Sequence, residues 1–176
     1  MEAARPRLTF RQSLASLPDV FRFARETVFR VTATRRIVAD GALAETLSCT
    51  PGHAWLHLRG LREVPGEALP LGFTEVWLDA AYAEPVAQPG VHRTAIFAQV
   101  EQRFGLALVE VQQEIAAMVL DAKLARLLRA EEGAPALRIA RRYLDAGERL
   151  VELSVTIHPA DRFTYAMTLR KGGAAR

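Results

Sequence analysis

LAETLSCTPGHAWLHLRGLREVPGEAL, residues 43–69, and LARLLRAEEGAPALRIARRYLDAGERL, residues 124–150, are one pattern written twice. A shift of 81 positions superimposes eight of these 27 residues. Leu43, Ala44, Leu47, Gly52, Leu56, Gly66, Glu67 and Leu69 fall on Leu124, Ala125, Leu128, Gly133, Leu137, Gly147, Glu148 and Leu150, and Leu58 falls on Ile139. Each copy reads as a short helix, a Gly turn, a strand, a second Gly turn and another strand. Two copies are too few for a solenoid. They predict a pseudo-symmetric sheet with a cleft between its halves.

Outward from the repeat, Thr27 to Ala39 is dense in β-branched and aromatic residues and reads as a strand. Asp40 precedes the first repeat helix as a cap. Trp55–Glu63 and Leu69–Leu78 make a hairpin turning at Pro65-Gly66. Ala80–Val86 reads as a helical turn. Thr94 is placed to cap a helix carrying Ile96, Phe97, Val100 and Phe104, which Gly105 stops. Leu106–Val119 alternates as a half-buried strand. Asp121 caps the second repeat helix, and strands over 136–144, 149–158 and 163–170 follow. Short turns between strands imply antiparallel pairing. The fold class is α+β: an antiparallel sheet with helices packed outside, mainly on one side.

A chain of 176 residues fits one domain. Residues 1–26 read as an arm, 27–170 as the folded body and 171–176 as a tail. Residues 1–36 carry a balance of +5 and the remainder −2, so the basic pI belongs to the leading segment. The body has no basic face wide enough for a DNA reader. No apolar run approaches the ~20 residues of a membrane span. The start lacks the apolar core of a signal peptide, and the lone Cys49 fits a reducing compartment, so the expected location is cytoplasmic. His53 and His57 straddle a turn, His92 and His158 stand isolated, and no phosphate loop, dinucleotide fingerprint or nucleophile elbow occurs. Neither a metal nor a cofactor is expected.

Strand alternation singles out two arginines. Leu56, Leu58, Gly60 and Arg62 share one side; Leu137, Ile139, Arg141 and Tyr143 share another such side. A guanidinium on an apolar face needs an anion or carbonyls, because burying it unpaired is costly. Either Arg62 and Arg141 grip a ligand's phosphate or carboxylate, or an internal acid satisfies them, with Glu75 the candidate. The loop Gly90–Thr94 opens a helix whose free N–H groups suit an anion, making Arg93 and Thr94 further candidates; plain capping by Thr94, with His92 and Arg93 in solvent, is the other reading. Tyr165 shares a side with Phe163, Met167 and Leu169 and reads first as core, with its hydroxyl reaching a ligand as the second reading. Glu152 alternates with Ser154 and Thr156 and reads as solvated. Trp55 and Trp77 read as packing residues.

The order of parts resembles the UTRA domain, the effector-binding half of GntR-type transcription regulators of the HutC group. Its carriers are Ala44-x-x-Leu47 with Pro51-Gly52, Leu61-Arg62, Phe73-Thr-Glu-Val-Trp-Leu78, Thr94-Ala-Ile-Phe97 through Phe104-Gly105, and Ile115-x-Ala117. They continue with Ala125-x-x-Leu128-x-x-x-x-Gly133-Ala-Pro135, Arg141-Arg-Tyr-Leu-Asp145-x-Gly147, Val151-Glu-Leu-Ser154 and Asp161-Arg-Phe163. The resemblance implies a chorismate lyase-like fold, a small anionic or polar effector, and pairing into homodimers. It implies that Arg62 matches the second Arg of the Arg-x-Arg found in phosphate-binding members, whose first Arg is Gly60 here. It also implies that Thr94 and the acid Glu152 can touch effector. The family's winged helix-turn-helix is not expected in this chain, so DNA contact would run through a domain not present in it. Two other functions fit the same fold: a lyase, as in chorismate lyase, and a ligand-free dimerisation module.

Overall fold

The computed structural model describes residues 10–13 and 17–167. The chain runs β1 (Phe10–Ser13), α1 (Leu17–Glu26), β2 (Val28–Val38), α2 (Gly41–Thr46), β3 (Ala54–Glu63) and β4 (Gly72–Asp79). Two 3-10 turns (Ala80–Tyr82 and Glu84–Val86) lead to β5 (Gly90–His92), α3 (Ile96–Phe104) and β6 (Leu108–Val119). The series closes with α4 (Ala122–Leu128), β7 (Pro135–Asp145), β8 (Leu150–Pro159) and β9 (Phe163–Ala166).

Seven strands form one antiparallel sheet in the order β5-β2-β3-β4-β8-β7-β6. Read from its centre, β4-β3-β2 mirrors β8-β7-β6, so the repeat is a two-fold relation about the β4·β8 pair. The match reaches individual bonds. Ala39 N donates to His53 O and Gly52 N to Ala39 O, both at 2.8 Å. Their counterparts, Leu120 N to Ala134 O and Gly133 N to Leu120 O, span 2.9 and 2.8 Å. Gly52 and Gly133 take φ of 95° and 77°, a left-handed conformation that a β-carbon disfavours.

Helices cover both faces of this sheet rather than mainly one. α3 packs on Leu56, Leu58, Val76 and Leu78, and Phe23 of α1 packs beside Ile139 on the same side. On the opposite face α2 meets Trp55, Leu153 and Val155, and α4 meets Phe73 and Ile157. Double coverage buries even the polar side of β8: Glu152, Ser154, Thr156 and His158 are all buried. Alternation on that strand therefore marks a polar interior stripe, and Glu152 is not solvated.

Within the stretch read as an arm, β1 pairs with β9 in parallel and α1 docks on the body. The rings of Phe10 and Phe23 lie 5.5 Å apart, and Phe10 stacks 6.4 Å from Phe163. The parallel pair departs from the all-antiparallel expectation, because chain-distant strands need no tight turn. Residues 1–9 and 171–176, and Leu169, lie outside the described residues. Thr94 does not cap α3: Ala95 holds that place, with no side-chain bond. Asp40 likewise makes no cap bond, whereas Asp121 accepts from Leu124 N at 2.7 Å. Gly105 does end α3, at φ 66°. β6 is an outer strand rather than a half-buried one, leaving Val109, Ile115 and Val119 exposed.

Candidate functional site

Strand register decides which side chains meet. Arg62 stands opposite Gly72, and Gly60 opposite Thr74. Thr74 stands opposite Thr156, and Arg141 and Tyr143 stand opposite Ser154 and Glu152. Directly opposed residues project to the same face. Arg62, Arg141, Thr74, Tyr143, Glu152, Ser154 and Thr156 therefore share the face beneath α1 and α3.

Both arginines converge on one ring. The Cζ atoms of Arg62 and Arg141 lie 5.6 and 5.8 Å from the centroid of Phe23. Arg62 also lies 5.1 Å from the Phe29 ring, a cation–π arrangement that favours the charged form. Its Nη1 donates to Thr27 Oγ1 at 3.3 Å, and Thr27 in turn bonds Phe23 O at 2.8 Å. Arg62 Nε is buried without a partner. Burial pulls its pKa down to about 10, still leaving it protonated at neutral pH. Arg141, 6% exposed, donates from Nε to Gln113 Oε1 at 2.7 Å.

Glu152 is the acid of this face. Its carboxyl accepts the Phe97 N–H in the first turn of α3, and its Oε2 is buried without a partner. Desolvation pushes its pKa up to about 8, against the opposing pull of the Arg62 charge and the Phe97 N–H. Among the described residues it forms no ion pair with Arg62. Tyr143, raised by burial, bonds Ser154 through its hydroxyl, and Thr74 and Thr156 join their hydroxyls at 2.9 Å. His158 places Nδ1 2.8 Å from Leu71 O and stacks 3.9 Å from Phe163. Burial drives its pKa down to about 3. A carbonyl acceptor fixes the proton on Nδ1 and leaves Nε2 as an acceptor. Gly72 makes this approach feasible: a β-carbon there would lie 2.7 Å from His158 Nδ1.

The remaining candidates scatter. Glu75 faces the other side of the sheet, where it meets His57 Nε2 at 3.1 Å, and that contact lowers its pKa. It cannot reach Arg62 or Arg141 through the sheet, so the internal-acid reading fails for it. Arg93 and Thr94 are exposed in the loop before α3. Tyr165 is half-buried and packs against the core. Trp55 is buried, and Trp77 stacks on His57 at 4.8 Å. His92 is not in solvent: it is half-buried opposite Phe29, its Nε2 lacks a partner, and burial lowers its pKa. Sequence reading set Tyr143 beside Arg141 but missed His92 and His158 as members of this face. The signal for His158 was its parity with Glu152, Ser154 and Thr156. Among the described residues no three acidic, His or Cys side chains are placed to hold a metal, and no helix is long and apolar enough to cross a membrane.

A largely buried face with two cations, an acid and hydroxyls, built on an antiparallel sheet with helices outside, defines a chorismate lyase-like effector-binding domain. The family model of the UTRA domain matches residues 24–164, and the chain belongs to that family. Solved structures agree in fold. The effector domain of PhnF from Mycobacterium smegmatis is 23% identical, with TM-score 0.76 over 92% of this chain and 100% of that one. The ligand-binding domain of a protein described as a GntR-family transcriptional regulator, from Bordetella bronchiseptica, is 21% identical, with TM-score 0.69 over 82% and 89%. The C-terminal domain of YurK from Bacillus subtilis is 13% identical, with TM-score 0.67 over 79% and 94%. No curated protein matches the sequence. Ahead of β2 the described residues hold one short strand and one helix, not a helix-turn-helix.

Proposed function

We propose that this domain is the non-catalytic sensor of a transcription regulator and binds a small carboxylate between Arg62, Arg141 and Glu152. One observation carries the reading: Arg62 and Glu152 each bury a polar atom without a partner on the same face and do not bridge each other. A ligand anion satisfies the guanidinium, and a hydroxyl or amine on the same ligand satisfies the acid. Such buried groups are costly when unmet, so their satisfaction supplies differential affinity for the ordered state. Arg93 and Thr94 stand exposed in the loop that leads into α3 and would meet the ligand from there, and Glu152 is tied to that helix through Phe97. Tyr165 supports the site by packing.

Gly60 favours carboxylate over phosphate. A β-carbon there would collide with the Arg30 carbonyl oxygen and lie 2.7 Å from Arg30 C, both on the neighbouring β2. An arginine at this position would have to displace backbone, so this path of β2 is incompatible with an Arg-x-Arg phosphate clamp. The exposed apolar edge of β6 supports pairing into a homodimer, through which effector binding would reposition DNA-binding heads carried outside this chain. A panel of small carboxylates and phosphates screened by thermal shift tests the reading. Carboxylates raise the melting temperature; a response confined to phosphates contradicts it.

A further inference from the structure

Arg162 follows β8, whereas the residues that follow β4 in the other half, Ala80–Ala83, include no arginine, and here the two halves differ in chemistry. Arg162 is 7% exposed. Its Nη1 donates to the carbonyls of Pro70 at 2.9 Å and Leu128 at 2.5 Å, and its Nη2 to Arg129 O at 2.9 Å. The guanidinium thus fills the hollow behind the end of α4.

The counterparts of the Leu128 and Arg129 carbonyls are those of Leu47 and Ser48, at the end of α2. The backbone there is the same: Ser48 and Arg129 take φ of 49° and 50°. Cys49 N bonds Ala44 O at 3.0 Å, as Ala130 N bonds Ala125 O at 2.9 Å. In the first half, however, no guanidinium arrives. Pro51 has no N–H to offer the Leu47 carbonyl, and among the described residues no donor reaches either carbonyl. Arg142 comes near but bonds the preceding carbonyl, Thr46 O, and Ser48 Oγ, each at 2.7 Å.

In place of the plug stands a cavity of about 690 Å³, lined among others by Leu47, Ser48, Trp55, Asp79, Ala81 and Tyr82. Trp55 is 1% exposed and leaves its Nε1 there without a partner. The cavity lies on the α2 side of the sheet, where Trp55 packs, across from Arg62 and Glu152.

We propose that this cavity is a second ligand site, for a small molecule carrying a guanidinium group that docks on the Leu47 and Ser48 carbonyls as Arg162 docks on theirs. The planar fork of a guanidinium matches two adjacent carbonyls, which a spherical cation does not. Asp79, which holds the Ala81 N–H at 2.9 Å and meets His53 Nε2 at 3.0 Å, joins Asp145 and Glu148 as the acids of a lining that also carries Arg142 and Arg149. The free Trp55 N–H receives an acceptor on the same molecule.

The test is an NMR titration of the wild-type chain with millimolar guanidinium chloride, following the Trp55 indole N–H with that of Trp77 as reference. Tetramethylammonium chloride, a cation without donors, is the control. The expected result is a saturable shift of the Trp55 signal with guanidinium alone. Ala81→Arg fills the hollow from within, so the titration weakens by about tenfold or more and the variant melts higher than wild type. Arg162→Ala opens the second hollow, and millimolar guanidinium recovers part of its lost melting temperature. A wild-type signal that does not saturate, an equal response to tetramethylammonium, or an unchanged titration of Ala81→Arg overturns the proposal.

Discussion

Arg62 and Glu152 project from β3 and β8 onto one face, with only β4 between their strands, yet they form no ion pair. Each is held back by another contact: Arg62 by Thr27 and the Phe23 and Phe29 rings, Glu152 by the Phe97 N–H. Burial raises the Glu152 pKa to about 8, so no full opposite charge draws Arg62 across to it. The gap is the physical content of the sensor reading.

Replacing Arg62 by Met keeps the volume and removes a buried charge whose Nε has no partner. The unliganded variant is expected to melt at or above the wild-type temperature, while ligand-induced stabilisation disappears. Differential scanning fluorimetry with and without effector checks both halves of this. A variant that unfolds early would mean that Arg62 serves the fold.

Glu152 makes stability fall as pH rises. Its folded pKa, about 8, stands above the usual 4.5, so the folded state binds the extra proton. Its contribution is complete below pH 4.5 and is lost as pH climbs through 8. Linkage puts the upper bound at a few kcal/mol, on the order of 1.4 per pKa unit. Glu152→Gln is expected to flatten the urea-unfolding free energy over this window. Equal pH slopes for both proteins would contradict the buried, unpaired acid.

His158 acts in the opposite direction. Its folded pKa of about 3 lies below the usual 6.5, so its contribution is present above 6.5 and is lost as pH falls toward 3. Gly72→Ala pushes a methyl group against the imidazole. It is expected to cost about 2 kcal/mol or more, as overpacked interior positions do, and to release His158 to a higher pKa in an NMR titration.

Glu75→Gln tests the corrected geometry. Because Glu75 faces His57 across the sheet from the arginines, effector affinity is expected to be unchanged. Only a part-exposed His57 contact is lost, worth roughly 0–1 kcal/mol. Weakened effector binding in this variant would place Glu75 in the site after all.

On β6, Ile115→Lys and Val119→Lys together put charge on the open edge. Size-exclusion chromatography with light scattering is expected to give a dimer for wild type and a monomer for the pair. A dimer in both would remove β6 from the interface.

Much of this molecule was legible in its residues. Gly52 and Gly133 announced the repeat, and the same two positions hold matching backbone bonds. Leucine parity put Arg62 and Arg141 on one face correctly. Parity misled at Glu152 and Glu75 for one reason: helices cover both sides, so polar alternation on β8 no longer marks solvent, and Glu75 meets His57 on the far face. The docking of Phe10 and Phe23 was invisible, because a parallel β1·β9 pair joins residues about as far apart as the chain allows. The Arg162 plug had no local signal, because the carbonyls it occupies, of Pro70, Leu128 and Arg129, lie far from it in the chain.

The most direct measurement is a paired thermal-shift screen of small carboxylates on wild type and Arg62→Met. The account predicts at least one compound that stabilises wild type in a concentration-dependent manner and leaves the variant unmoved. Compounds that shift both proteins equally would contradict it.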